Sequence, residues 1–183
     1  MRLFLAILLN EPVRKALEAV QEDLIACGAK GRFSRPENLH LTLAFLGELP
    51  RSSLPKIETC MAEAAMGLPL PAVLSFAALD RFRRRDGDLY YVQAAASPWL
   101  LQLQRQLTRA LDRAGLPYDK KPFRPHLTLG RNIVFPPGVS PPSIRHAVPD
   151  LPVASIALME SRRVNGVLTY TPCHRARLSG ATG

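Results

Sequence analysis

The stretch RPHLTLGR at residues 124–131 nearly repeats NLHLTLAF at residues 38–45. The chain holds four histidines, and two of them, His40 and His126, stand 86 positions apart in the same word, His-Leu-Thr-Leu. Side chains alternate faces along a strand. His40 and Thr42 therefore share one face while Leu39, Leu41 and Leu43 share the other. His126 and Thr128 likewise share a face, with Leu127 and Leu129 behind them. Each word reads as an apolar strand seated in a core, presenting one imidazole and one hydroxyl outward. A single such word could be an ordinary half-exposed strand. Two copies with matching approaches favour a common purpose.

The approaches do match. Residues 2–9 read as a buried strand, and Asn10 caps a helix with Pro12 in its first turn and apolar residues at 13, 17, 20 and 24. Gly28 closes that helix, and His40 follows 12 residues later. Ser97-Pro98 opens another helix, apolar at 100, 103, 107 and 111, which closes at Gly115, 11 residues before His126. Between them a helix is expected from Ser52 or Ser53 to Gly67, then strands over 71–82 and 89–95 joined by the turn RRRDGD. Residues 135–145 are proline-rich and read as a loop. Residues 153–161 and 167–178 form a hairpin around Asn165-Gly166. The pattern suggests two similar halves, each a helix packed on a sheet. No linker divides the chain, so residues 1–183 are taken as a single domain.

The longest apolar run, LFLAILL at residues 3–9, is far shorter than the roughly 20 residues that span a bilayer, and no signal-peptide cleavage site follows it. Cys27, Cys60 and Cys173 are scattered with no CxxC pair, a pattern of free thiols in a reducing cytoplasm. Twenty-four Lys and Arg against fifteen Asp and Glu leave a net charge of +9. Such a surplus attracts polyanions, although an arginine-rich proteome would show the same balance.

Two imidazoles and two hydroxyls on one cleft suit some chemistries better than others. Zinc sites need three or four His, Cys or carboxylate ligands, and no HxH, HExxH or nearby acid accompanies either word, so no metal or other cofactor is expected. No GxSxG elbow supports covalent catalysis, and each threonine lies beside its own histidine. Acid–base catalysis fits. Histidine titrates near pH 6.5, so a neutral imidazole can take a proton from water while a charged one delivers a proton to a leaving oxygen. The threonine hydroxyls can hold the oxygens of a phosphate between them.

These words and their flanks, ENLHLTLAFLGE and FRPHLTLGR together with the opening RLFLAILL, resemble the two-histidine phosphoesterase superfamily, and within it the RNA 2′,3′-cyclic phosphodiesterases, also called LigT- or ThpR-like 2′-5′ RNA ligases. The likeness runs roughly from residue 2 to residue 175. It implies a bilobal α+β fold of two pseudo-symmetric lobes, each an antiparallel sheet backed by helices, facing across a central groove. It also implies hydrolysis of a terminal 2′,3′-cyclic phosphate on RNA, tRNA fragments included, to a 2′-phosphate, with 2′-5′ ligation as the reverse. His40 would be the proton donor, His126 the proton acceptor, and Thr42 and Thr128 the phosphate ligands. A cytoplasmic monomer is expected. The alternatives are a cyclic phosphodiesterase acting on a small nucleotide or ADP-ribose cyclic phosphate, and a non-catalytic RNA-binding module.

Other residues could assist. Arg124 shares the face of His126 if the strand starts early. Arg131 points to the opposite face unless a bulge at Gly130 re-aims it. Either could pair with phosphate, or be a solvated strand-end arginine. Phe4 could stack on a base or pack in the core, and Phe45, Tyr118 and Phe123 carry the same ambiguity. Lys120, Lys121 and the basic run RFRRRDGD at residues 81–88 could meet an RNA backbone or simply be solvated. His146 and His174 have no matching word and read as surface or structural histidines.

Overall fold

The computed structural model describes residues 1–141 and 147–180. Arg2–Leu8 form β1, a strand whose interior residues are buried on both faces. The Asn10 side chain then accepts from Val13 N at 3.1 Å and starts α1, Glu11–Ala26, whose buried stripe is Val13, Leu17, Val20, Gln21 and Leu24. Gly28 turns the chain at φ +86°, which an L side chain would resist. It leads into β2, Lys30–Phe33, and then β3, His40–Glu48.

The second helix, α2, runs Leu54–Ala64 behind a 3-10 turn at Arg51–Ser53, and Ser53 makes no side-chain cap. It is shorter at both ends than the expected span to Gly67. The single strand expected over 71–82 is two: β4, Val73–Leu74, and β5, Phe76–Phe82. They separate at Ser75, whose carbonyl accepts from Ala95 N, because β4 leaves to pair with β8, Leu151–Pro152. The remaining elements are β6, Asp88–Ala94, α3, Pro98–Arg113, and β7, His126–Val134. The closing hairpin is β9, Ser155–Val164, with β10, Val167–Arg177.

The result is an α+β fold around an antiparallel sheet ordered β10-β9-β1-β3-β7-β6-β5, with β2 also on β7. The strands β10, β9, β1 and β3 are joined to β7, β6, β5 and β2 through one pair, Leu41↔Leu127. Helix α1 lies beneath the second group: the buried Gln21 donates from Nε2 to Ser34 O and Leu129 O, both at 2.8 Å. Helix α3 packs on β3, and α2 packs on α3 and β10. Each helix is thus sandwiched against the sheet's inner face, where Leu3, Leu5, Leu41, Leu43, Leu127 and Leu129 share the main core with Leu17 and Leu103. The opposite face carries a smaller cluster of Phe4, Ala6, Ala157 and Met159, with Leu8, Phe45 and Tyr170 packed against it. The three cysteines are free. No helix among the described residues is long and apolar enough to cross a membrane.

Candidate active site

The two repeated words meet where the strand groups join. Leu41 and Leu127 are the paired residues, both fully buried. Their antiparallel register sets His40 across from Thr128, and Thr42 across from His126, on the sheet face opposite the main core. All four polar side chains are half-buried. Local alternation, together with the leucines' preference for the core, produces this arrangement at each strand. Only the pairing of β3 with β7 brings the two words together.

Each imidazole is held the same way. His40 Nδ1 lies 2.6 Å from Asn38 O, and His126 Nδ1 lies 2.6 Å from Arg124 O. A carbonyl only accepts, so Nδ1 carries the proton in both rings and Nε2 is left as an acceptor when the ring is neutral. His40 Nε2 stands 3.0 Å from Thr42 Oγ1. Asn38 is itself anchored: its Nδ2 donates to Leu168 O at 2.9 Å and its Oδ1 accepts from Tyr170 N at 3.3 Å.

Aromatic rings flank both histidines. Phe4 and Tyr170 lie 4.8 and 5.3 Å from the His40 ring, and Phe82 and Tyr91 lie 5.6 and 5.2 Å from the His126 ring. Burial is the first cause that pushes both imidazoles below their ordinary pKa. The bond to the Asn38 or Arg124 carbonyl opposes it, and the Arg131 charge adds to it. His40 also feels His126. Both rings therefore favour the neutral form in the free protein.

Arg131 reaches this face because of a bulge. Tyr91 pairs with Thr128 and Tyr90 with Gly130, so Leu129 is the extra residue on β7. Arg131 thus takes the histidine side, consistent with its effect on both rings. β3 has the same device: Ala6 pairs with Thr42 and Leu5 with Ala44, leaving Leu43 extra and turning Phe45 to the histidine face. The Arg2 guanidinium lies 5.1 Å from the Phe45 ring centre.

The other expected residues are placed as follows. Phe4 is buried, 4% exposed, and supports the His40 ring rather than offering a face to a base. Arg124 is exposed, with its guanidinium 6.0 Å from the Phe82 ring centre. Lys120 is bound to Asp112 at 3.1 Å and Lys121 to Asp119 at 2.9 Å. The Tyr118 hydroxyl donates to Asp112, and Phe123 packs against the core, so neither stands beside the histidines. Within the basic run, Arg81 pairs with Asp88 at 3.0 Å. His174 sits on β10, 3.8 Å from Glu58. His146 lies outside the described residues.

Sequence reasoning missed Asn38, Tyr170, Tyr91 and Phe82. Asn38 stands two residues before His40, where its carbonyl could have been suspected. The aromatic residues come from β5, β6 and β10, and no local pattern announces their neighbours. Among the described residues no three His, Cys, Asp or Glu side chains gather as a metal-ligand group.

Comparison with known proteins places this arrangement. The RNA 2′,3′-cyclic phosphodiesterase of Thermus thermophilus is 30% identical over 195 residues, covering 100% of this chain and 93% of its own. The crystal structure of TT0787, from the same organism, superposes with a TM-score of 0.81 at 29% identity, over 98% of this chain and 99% of that one. Escherichia coli LigT, crystallised with 3′-AMP, superposes with a TM-score of 0.73 at 26% identity, over 97% and 96% of the two chains. The family model described as the 2′-5′ RNA ligase superfamily matches residues 9–137, and on that match the chain belongs to this superfamily.

Proposed function

We propose that this protein is a metal-independent RNA 2′,3′-cyclic phosphodiesterase that opens a terminal cyclic phosphate to a 2′-phosphate by two-histidine acid–base catalysis. The observation that carries the reading is the junction at Leu41↔Leu127, where two imidazoles with tethered Nδ1 atoms share one face with two hydroxyls, His40 Nε2 lying 3.0 Å from Thr42 Oγ1. Relatives that bear this activity in their names, such as the one from Thermus thermophilus, support it.

In this reading His126 Nε2 takes a proton from water as the oxygen attacks phosphorus. His40, protonated at Nε2, delivers its proton to the departing 3′ oxygen, and the P–O3′ bond breaks. Thr42 and Thr128 donate to the non-bridging oxygens, and Arg131, farther along β7, adds only a longer-range attraction for the anion. Both free imidazoles favour neutrality, so a proton must be drawn onto His40. The substrate's phosphate anion supplies the attraction, raising the acid's pKa only when substrate is bound. A 5′-hydroxyl in place of water would yield a 2′-5′ linkage by the same route. The matching bulges beyond each histidine support a pseudo-symmetric, bilobal description, with the groove between the β3 and β7 strand groups.

The test offers the purified protein an oligonucleotide ending in a 2′,3′-cyclic phosphate, in the presence of EDTA. A 2′-phosphate product is expected, with His40→Ala and His126→Ala each losing about 10²–10⁴-fold in kcat. Undiminished turnover in either variant would overturn the mechanism, and loss of wild-type activity in EDTA would overturn metal independence.

A further inference from the structure

Arg131 is one of three arginines that converge at the far end of β7. Arg32 on β2 is its directly paired neighbour. Facing residues of an antiparallel pair lie on the same side of the sheet, and like charges in that position are destabilising. The phase is fixed independently: a Cβ on Gly31 would meet the buried Ile133 Cδ1 at 2.7 Å, so residue 31 faces the core and Arg32 the groove.

The third comes from the turn between β5 and β6. That turn presses against β7 so closely that a Cβ on Gly87 would meet Asn132 C at 2.7 Å. It carries Arg84, whose charge acts on Arg131 more strongly than that of Arg32. Of the acids in that turn, Asp88 is engaged by Arg81 and accepts from Arg84 N at 3.3 Å, and Asp86 forms no ion pair with the three arginines among the described residues. All three arginines are exposed, and among the described residues their guanidinium groups have no ion pair or hydrogen bond. Three unneutralised cations from three chain segments, with two placed face to face, form a surface that an anion would relieve.

We infer that Arg32 and Arg84, beside Arg131, form a second anion subsite that takes the phosphate on the 5′ side of the terminal nucleotide. Arg131 lies three residues beyond Thr128, about 10 Å along the strand before the bulge shortens it. That is the reach of one nucleotide rather than of one phosphate group. This subsite rests on the cyclic phosphodiesterase reading and gives it a substrate preference: a chain, or a 5′-phosphorylated nucleotide, over a bare nucleoside cyclic phosphate.

The experiment compares kcat/KM on a 5′-hydroxyl mononucleoside 2′,3′-cyclic phosphate, its 5′-phosphorylated form, and a short oligonucleotide with the same end. It uses wild type, Arg32→Gln, Arg84→Gln and the double variant, with melting curves to verify folding. Wild type should favour the two substrates that carry the 5′ phosphate, and the double variant should lower that preference about tenfold or more. An unchanged ratio overturns the subsite. A gain confined to the oligonucleotide restricts the subsite to internucleotide phosphates and overturns its capture of a 5′-monophosphate.

A binding arm separates this from failure of the catalytic reading. A labelled oligonucleotide ending in a 3′-phosphate is titrated at several salt concentrations. The double variant should flatten the slope of log K against log salt by about 0.7 for each phosphate it no longer neutralises. An equal slope overturns the subsite even if catalysis is absent.

Discussion

Two backbone carbonyls set the chemistry at the residue scale. By accepting from Nδ1 of His40 and His126, Asn38 O and Arg124 O leave Nε2 of each neutral ring as the acceptor nitrogen. Burial depresses both imidazoles, and protonation is therefore harder in the folded protein than in the unfolded chain. The sign of the linkage follows: as pH falls below the ordinary histidine value of about 6.5, the unfolded state binds protons first and native stability is lost. A denaturation series from pH 8 to pH 5 should show wild type losing more stability than His40→Gln, and the reverse order would contradict the depressed pKa. In catalysis, the alkaline limb of kcat/KM should lie below about pH 6.5, and that of kcat should lie higher, because bound phosphate raises the acid. Coincident limbs would remove that role for the substrate. Asn38→Ala frees the segment that aims His40, since both side-chain bonds to β10 disappear. It should lower kcat about tenfold with little change in KM, for each such bond contributes only about 1 kcal/mol to stability. A change confined to KM would show that Asn38 does not act through His40.

At the scale of elements, the deciding devices are the two bulges. An unbroken β7 would alternate Arg131 away from His126, whereas the extra residue at Leu129 returns it to the histidine face. Gly130 is required there because a Cβ would meet Ile133 Cδ1 at 2.9 Å and Arg32 O at 3.2 Å. The isoleucine tip can shift, but a paired backbone carbonyl has little room to do so. Gly130→Val should therefore cost about 1–3 kcal/mol of stability, read by denaturant unfolding, and raise KM by misaiming Arg131. A stable variant with unchanged KM would refute the claim that bulge geometry places that charge.

The whole molecule depends on how two groups of strands are held together. Their ladder between β3 and β7 is a single pair, so much of the alignment falls to the core beneath, while Gln21 fixes α1 to the second group. This buried side chain spends both amide hydrogens on Ser34 O and Leu129 O, tying α1 to the strand that begins with His126. Gln21→Leu keeps the bulk and removes the amide donor from Ser34 O, while Leu129 O keeps its bond from Ser34 N at 2.7 Å, so unfolding free energy should drop by about 1–3 kcal/mol. No loss would mean that water reaches the Ser34 carbonyl. The charge of +9 acts at this scale as well, attracting polyanions toward a molecule whose histidine face carries Arg32, Arg84 and Arg131 at the far end of β7.

Much of this was legible in the chain itself. Alternation put His40 with Thr42 and His126 with Thr128, because face and period are local properties of a strand. Asn10, Pro12, Gly28 and Gly115 marked helix ends for equally local reasons. What the tertiary structure decided was non-local: that Leu41 and Leu127 pair, that residues 71–82 split between two sheets, and that Phe4 is buried under His40 while Tyr170 and Tyr91 stand beside the rings. Those outcomes depend on contacts between segments far apart in sequence, and on a one-residue slip in pairing, which reverses every side chain beyond it without altering the composition or period of either strand.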